Sequence, residues 1–293
     1  MGINISLTAG PDGASSRVSA SGEVVDIIPD AERSTFKLSD SQLKGYVNSY
    51  FGRAPNDAYL KGPTPWNDLY ATYGWSQVKR VMRVQSAEIL GITSEPVIVK
   101  SQDFVNTSSR QGTFNVGIDE QVTNSASSNW STGGTFKIEQ KFIYKVGFLG
   151  TEAGGETSIG YEQSWGIGGE QSKSVTIGSS SGVTVVLDPG QAVTTVLSAS
   201  RGVMRVRIRY VAYLEGLAAI NYNPTYRNHH FWGLNIGSVM GAGGVANSVT
   251  STEDIEIGYY SNSKIELKDK VTGAVTCTYC LDDLAGNPQN VVI

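Results

Sequence analysis

The sequence predicts a mainly β protein with two short helices in its first third, and three observations carry that expectation. The 34 glycines, with abundant Ser, Thr and Val, favour short strands and turns over helices. Residues 135–167 alternate apolar and polar side chains at period two, which is the strand period. Clear helical spacing is confined to two stretches between residues 39 and 74.

Residues 1–38 read as extended and irregular, with Val18, Val24, Val25, Ile27 and Ile28 as strand material. The first six residues lack a charged segment followed by an apolar one, so no signal peptide is expected. Ser39 with Gln42 forms a capping box. Leu43, Tyr46, Val47, Tyr50 and Phe51 then recur at helical spacing until Gly52. Thr64-Pro65 opens a second helix, and Trp66, Leu69, Tyr70 and Tyr73 continue it to Gly74. Trp66, Tyr70, Tyr73 and Trp75 are candidates for a receptor or surface-binding patch, since Trp and Tyr suit half-wet interfaces. The simpler alternative is that they pack the helices onto a sheet.

From residue 77 onward the chain reads as almost wholly β. Residues 97–105 and 113–122 are strands, and a Ser/Thr/Asn tract follows at 123–132. In the ribbon after it, Phe136, Ile138, Phe142, Tyr144, Val146 and Phe148 share one face with Gln140. Lys137, Glu139, Lys141 and Lys145 share the other with Ile143. Past a Gly-rich tip the pattern resumes with Ile159, Tyr161, Trp165 and Ile167 opposite Glu162 and Ser164. Folding about Thr151-Glu152 sets Tyr144 against Ile159, Phe142 against Tyr161 and Lys141 against Glu162, an opposite-charge cross-strand pair. The pattern suits a transmembrane β-hairpin of roughly 9–11 residues per crossing. Any antiparallel sheet with one wet face alternates likewise. A second polar tract, 171–184, leaves the ribbon. Such tracts bury little apolar area, so the ribbon is expected to detach at modest cost. A hairpin around Asp188-Pro189-Gly190, a strand at 203–214 bearing Arg205, Arg207 and Arg209 on one face, an aromatic loop at 222–232 and closing strands at 254–267 complete the chain. The arginine stripe suits a solvated face or a contact between subunits.

Composition narrows the function. A net charge of −4 supplies no basic footprint for nucleic acid. No apolar run spans a bilayer as a helix, so membrane entry requires a closed barrel, which one hairpin cannot make. Copies must pool hairpins. Cys277 and Cys280 form a lone C-x-x-C, better suited to a local disulfide or two free thiols than to a metal, and no metal or cofactor is expected. Gly178-Ser179-Ser180-Ser181-Gly182 matches a nucleophile-elbow pattern but precedes strand residues rather than a helix. The two histidines are adjacent. The chain is not expected to be an enzyme.

The order of polar strand, amphipathic ribbon with a Gly-rich tip, second polar strand, Leu187-Asp188-Pro189-Gly190-Gln191 and long return strand resembles the aerolysin-like β-pore-forming proteins. Lys141-Phe142-Ile143-Tyr144-Lys145-Val146-Gly147-Phe148 resembles the first insertion strand of the epsilon-toxin and mosquitocidal-toxin branch, and Gly155-Glu156-Thr157-Ser158-Ile159-Gly160-Tyr161 its return. The resemblance covers residues 97–270. The first hundred residues look similar to insect follicular-epithelium yolk proteins and slime-mould spherulins. The resemblance implies an elongated, secreted protein that binds a cell-surface receptor on the lipid membrane, assembles as a homo-oligomeric ring and refolds the hairpin into a barrel. Phe136, Ile138, Phe142, Tyr144, Val146, Ile159, Tyr161, Trp165 and Ile167 would face lipid, with Phe148 and Leu149 at the tip. Lys137, Glu139, Lys141, Lys145, Glu162 and Ser164 would line the lumen. On this reading residues 1–96 form a receptor-binding head and 97–293 the pore-forming module, with hairpin 135–168 and a closing and tail region 245–293. The tail, Val271 to Ile293, is a candidate propeptide. The rival readings are a yolk, egg-coat or storage protein without lytic activity, and a carbohydrate-binding module.

Overall fold

The computed structural model describes residues 2–132, 141–152, 155–164, 167–181, 183–280 and 289–292. The strands in chain order begin with β1 (Asn4–Ala9), β2 (Arg17–Ser21), β3 (Glu23–Ile27), β4 (Asp57–Tyr59), β5 (Lys79–Val105) and β6 (Gly112–Asn115). Next come β7 (Ile118–Thr132), β8 (Lys141–Glu152), β9 (Gly155–Ser164), β10 (Gly169–Ser179), β11 (Val183–Leu187) and β12 (Ala192–Glu215). The last are β13 (Leu217–Tyr226), β14 (His229–Asn235), β15 (Ser248–Asp269), β16 (Val275–Cys280) and β17 (Gln289–Val292). The α-helices are α1 (Asp40–Phe51), α2 (Pro65–Tyr73) and α3 (Ile236–Ala242).

A long body sheet runs β10-β7-β15-β12-β5-β3, with β16 added to β15 beyond the end of β7. Its strands pair antiparallel, and β5, 27 residues long, follows β12 from end to end. At about 3.3 Å per residue such a strand reaches roughly 90 Å, so the molecule is drawn out along it. Register shifts at Leu197/Ser198, Arg205/Val206 and Arg209/Tyr210 mark bulges that let so long a ladder twist. A four-stranded sheet, β2-β1-β8-β9, lies against one face of the body. A small sheet β17-β11-β6 packs at the far end, and β14-β13-β4 forms the head with the helices.

The polar tracts belong to the body sheet because their few apolar residues fall at the right parity. Val122 and Ala126 of β7, with Val175 and Ile177 of β10, are buried, while Gly169–Ser174 stay exposed. Ser39 and Gln42 make both bonds of the capping box, and Gly52 closes α1 at φ 93°. Around α2 the expectation needs correction. Trp66, Asn67 and Asp68 adopt left-handed values, so regular helix begins only after them; the Thr64 hydroxyl accepts a bond from the Leu69 N–H at 2.8 Å. The third helix, α3, was not expected from sequence, because Gly237 and Gly241 disguise it. Its evidence is tertiary: Ile236, Val239 and Met240 are buried, and the Asn235 side chain caps the Ser238 N–H. A domain boundary at residue 96 falls inside β5, and the head also takes β13, β14 and α3 from late in the chain. The head is discontinuous in sequence.

Candidate functional site

The ribbon is docked, not free. Along β8, Tyr144, Val146 and Phe148 are each 0% exposed, whereas Ile143 is 69% exposed and Lys145 faces solvent. The buried face shares a core layer with Ile5, Leu7 and Ala9 of β1, Met204, Val206 and Ile208 of β12, and Ile255 and Ile257 of β15. Burying three such side chains contributes about 5–9 kcal/mol as an upper estimate. The expectation that polar neighbours leave the ribbon cheaply held therefore fails over β8: its own apolar face anchors it.

The two-faced alternation of β8 is as expected, but the register is shifted by two residues. Tyr144 pairs with Tyr161, Phe142 with Gln163, Val146 with Ile159 and Ile143 with Glu162; Lys141 meets Ser164 rather than Glu162. An even slip leaves every side chain on its face, so alternation cannot distinguish the two registers. The turn decides, with Glu152 paired to Gly155 after an irregularity past Leu149. In this structure Phe148 is a buried core residue. Ile167 lies past the end of β9, 63% exposed. Phe136, Lys137, Ile138, Glu139 and Trp165 lie outside the described residues, and Lys141, Phe142, Leu149, Ile159, Tyr161, Glu162 and Ser164 are placed by backbone register alone.

One polar device crosses the apolar interface. Glu253 of β15 is 0% exposed, and its carboxylate accepts from Tyr144 Oη at 2.6 Å, Tyr210 Oη at 2.7 Å and Ser128 Oγ at 2.6 Å. Three donors from β8, β12 and β7 converge on one carboxylate. Burial pushes the Glu253 carboxyl above its ordinary range, opposed by those hydrogen bonds. Burial also pushes the Tyr210 hydroxyl well up, so it remains a donor. The Tyr210 ring stacks on Trp130 at 5.3 Å. The sequence reading missed Glu253, which sits in an ordinary-looking charged run, Glu253-Asp254. The available signal was parity: between buried Ser251 and Ile255, position 253 faces the core.

The arginine stripe is neutralised within its own sheet. Arg207 makes two bonds to Asp254 at 2.7 and 2.8 Å, Arg205 reaches Glu256 and Arg209 reaches Glu88. The expected aromatic loop at 222–232 is instead the β13–β14 hairpin, and at the head Trp66, Tyr73 and Trp75 gather with Phe231 of β14. Tyr73 stacks on Trp75 at 4.7 Å, and Trp66 lies 5.1 Å from Phe231. Trp66 is 43% and Tyr73 51% exposed. Gly233 supports this platform from below, since a Cβ there would lie 2.8 Å from the Trp75 ring. Tyr70 is buried instead, donating to the carbonyls of Tyr59 and Leu217, and so carries the platform rather than presenting itself. The Gly178–Gly182 match joins strand β10 to strand β11. Cys277 is a free thiol, and among the described residues no cluster of His, Cys, Asp and Glu is arranged for a metal. No described helix is long and apolar enough to cross a membrane, which says nothing of strands.

No family model matches the chain. It is 36% identical over 270 residues to U-megalopygitoxin(8)-Mc8 of Megalopyge crispata, covering 92% of this chain and 93% of that one. It is also 36% identical to U-megalopygitoxin(8)-Mo12 of Megalopyge opercularis, over 85% of each. Its fold matches the crystal structure of parasporin-2, a Bacillus thuringiensis toxin that recognizes cancer cells, with a TM-score of 0.58 at 17% identity, over 88% of this chain and all of that one. The mainly β, aerolysin-like architecture rests on that match. The similarity of the first third to yolk proteins and spherulins has no counterpart among these relatives.

Proposed function

The chain belongs to the U-megalopygitoxin(8) family, and from that premise we propose that it is a pore-forming toxin. Released in soluble form, it binds a cell surface, assembles with copies of itself and inserts one hairpin per subunit into a shared transmembrane barrel. The observation that carries this reading is the β8–β9 ribbon. Its strands are 12 and 10 residues long, matching the roughly 9–11 needed for a crossing. Tyr144, Val146 and Phe148 hide one face of β8, while Ile143 and Lys145 on the other are exposed. Turning the hidden face to lipid and the polar face to a lumen satisfies both, and a closed ring of such hairpins leaves no strand edge in the bilayer.

On this reading Tyr144, Val146 and Phe148 contact lipid, with Phe142, Ile159 and Tyr161 beside them by parity, and Lys141 and Lys145 line the lumen. The exposed Trp66–Tyr73–Trp75–Phe231 platform docks the protein on its target. The toxin names of the relatives favour this role over storage. The platform also supports a carbohydrate-binding reading, which a glycan array probed with the whole protein tests. Planar-bilayer recording tests the pore directly. The protein should give discrete conductance steps, and Lys145→Glu, at an exposed position, should shift the reversal potential toward cation selectivity. Steps with unchanged selectivity would overturn the facing; absence of steps would overturn the pore.

A further inference from the structure

The two long edges of the ribbon are not in the same state. Strand β8 is hydrogen-bonded to β9 on one side and, on the other, to β1 in parallel, with Asn4 opposite Ile143, Ser6 opposite Lys145 and Ala9 opposite Phe148. Strand β9 ends the four-stranded sheet, so its outer edge pairs with no other strand among the described residues. A barrel made of one hairpin per subunit needs β8 of one copy to meet β9 of the next. Among the described residues one half of that contact is unpaired, and β1 occupies the other. Because a strand bonded on both edges accepts no further partner, blocking the β8 edge alone is enough to stop head-to-tail addition.

The blocking strand is also held by contacts outside the ribbon. Ile5, Leu7 and Ala9 are buried in the layer that holds Tyr144, Val146 and Phe148. The Tyr259 hydroxyl of the body sheet donates to the Gly10 carbonyl at 2.6 Å, where β1 ends. The Ser16 hydroxyl accepts from the Gly10 N–H at 3.0 Å and so closes the turn into β2. Strand β2 then caps the sheet with a short edge whose Arg17, Ser19 and Ser21 are exposed. Short, polar edges are how sheets avoid adding strands.

We propose that the β1–β2 unit is an autoinhibitory cap on the subunit-contact edge of β8, and that its partner in the assembled state is β9 of a second copy. Assembly requires β1 to part from β8. This inference rests on the pore-forming reading, and its test separates the two. In a Cys277→Ser, Cys280→Ser background, Asn4→Cys with Ile143→Cys places two exposed, directly paired residues to form a disulfide that locks the cap to β8. The control lock, Asn4→Cys with Ser21→Cys, ties β1 only to β2. Each is added, oxidised or reduced, to dye-loaded resealed erythrocyte ghosts. The expected result is loss of leakage for the oxidised 4–143 lock, its return on adding dithiothreitol, and unimpaired leakage by the control lock. Recovery on reduction shows that the locked protein was folded. If the oxidised 4–143 lock leaks as the parent does, the cap is overturned while the pore reading stands. If the parent itself leaves ghosts sealed, the pore reading falls and the cap with it.

Discussion

Removing a single oxygen, with Tyr144→Phe, should loosen the ribbon without unfolding the protein. The ring stays, so its place in the buried core layer is kept. What is lost is one of three donors to the buried Glu253 carboxylate. A hydrogen bond to a charged group contributes about 1.5–3 kcal/mol. At about 1.4 kcal/mol per decade, opening of the ribbon becomes about 10- to 140-fold more frequent. Since burial of the apolar face contributes about 5–9 kcal/mol, the docked form should still dominate. Hydrogen exchange reads the effect: protection of the β8 amides from Ile143 to Phe148 falls by that factor, while β5 amides beyond the ribbon sheet hold theirs. The pH dependence follows from Glu253. Its carboxyl is raised in the folded protein, chiefly by burial, so its contribution to stability is fully present below the ordinary carboxylate range and is lost as pH rises through the folded-state value. The packing around the ribbon therefore tightens in acid and loosens as pH rises above that range. Its other charged neighbour, Asp254, is held below the ordinary carboxylate range chiefly by hydrogen bonds from Arg207. Glu253→Gln, which keeps an acceptor but cannot ionise, should remove this pH dependence. Unchanged β8 protection in Tyr144→Phe, or an unchanged pH profile in Glu253→Gln, refutes the clasp.

Three further outcomes are expected. Arg80→Met should destabilise the protein by about 3–5 kcal/mol, because Arg80 and Glu32 are each 1% exposed and paired at 2.8 Å, leaving a buried carboxylate without its cation. A urea midpoint equal to the parent's would contradict it. Gly202→Val sets a Cβ 2.5 Å from the Tyr259 ring, which holds the end of β1 through Gly10, and should cost about 1–3 kcal/mol. Exchange should rise more in β1 than in β3, and equal changes count against the link. Trp66→Ala with Tyr73→Ala should weaken binding of labelled protein to target cells in flow cytometry while thermal stability holds, both rings being over 40% exposed. Undiminished binding removes the platform from the docking role.

The sequence by itself determined the β class, the α1 cap and the two faces of the ribbon, because these depend on neighbours two to four residues apart. Parity is a local property: Tyr144, Val146 and Phe148 share a side whichever strand lies opposite. Tertiary structure decided what parity leaves free. The even register shift was settled by the turn, and the capping of the β8 edge by β1 joins residues more than a hundred positions apart. The Glu253 clasp draws Ser128, Tyr144 and Tyr210 from three strands onto one carboxylate. The head combines Trp66 and Tyr73 with Phe231 from late in the chain. None of these pairings leaves a local trace, since a side chain's best partner is set by which strands the whole sheet brings alongside it, and that choice is a property of the packed core rather than of any stretch of chain.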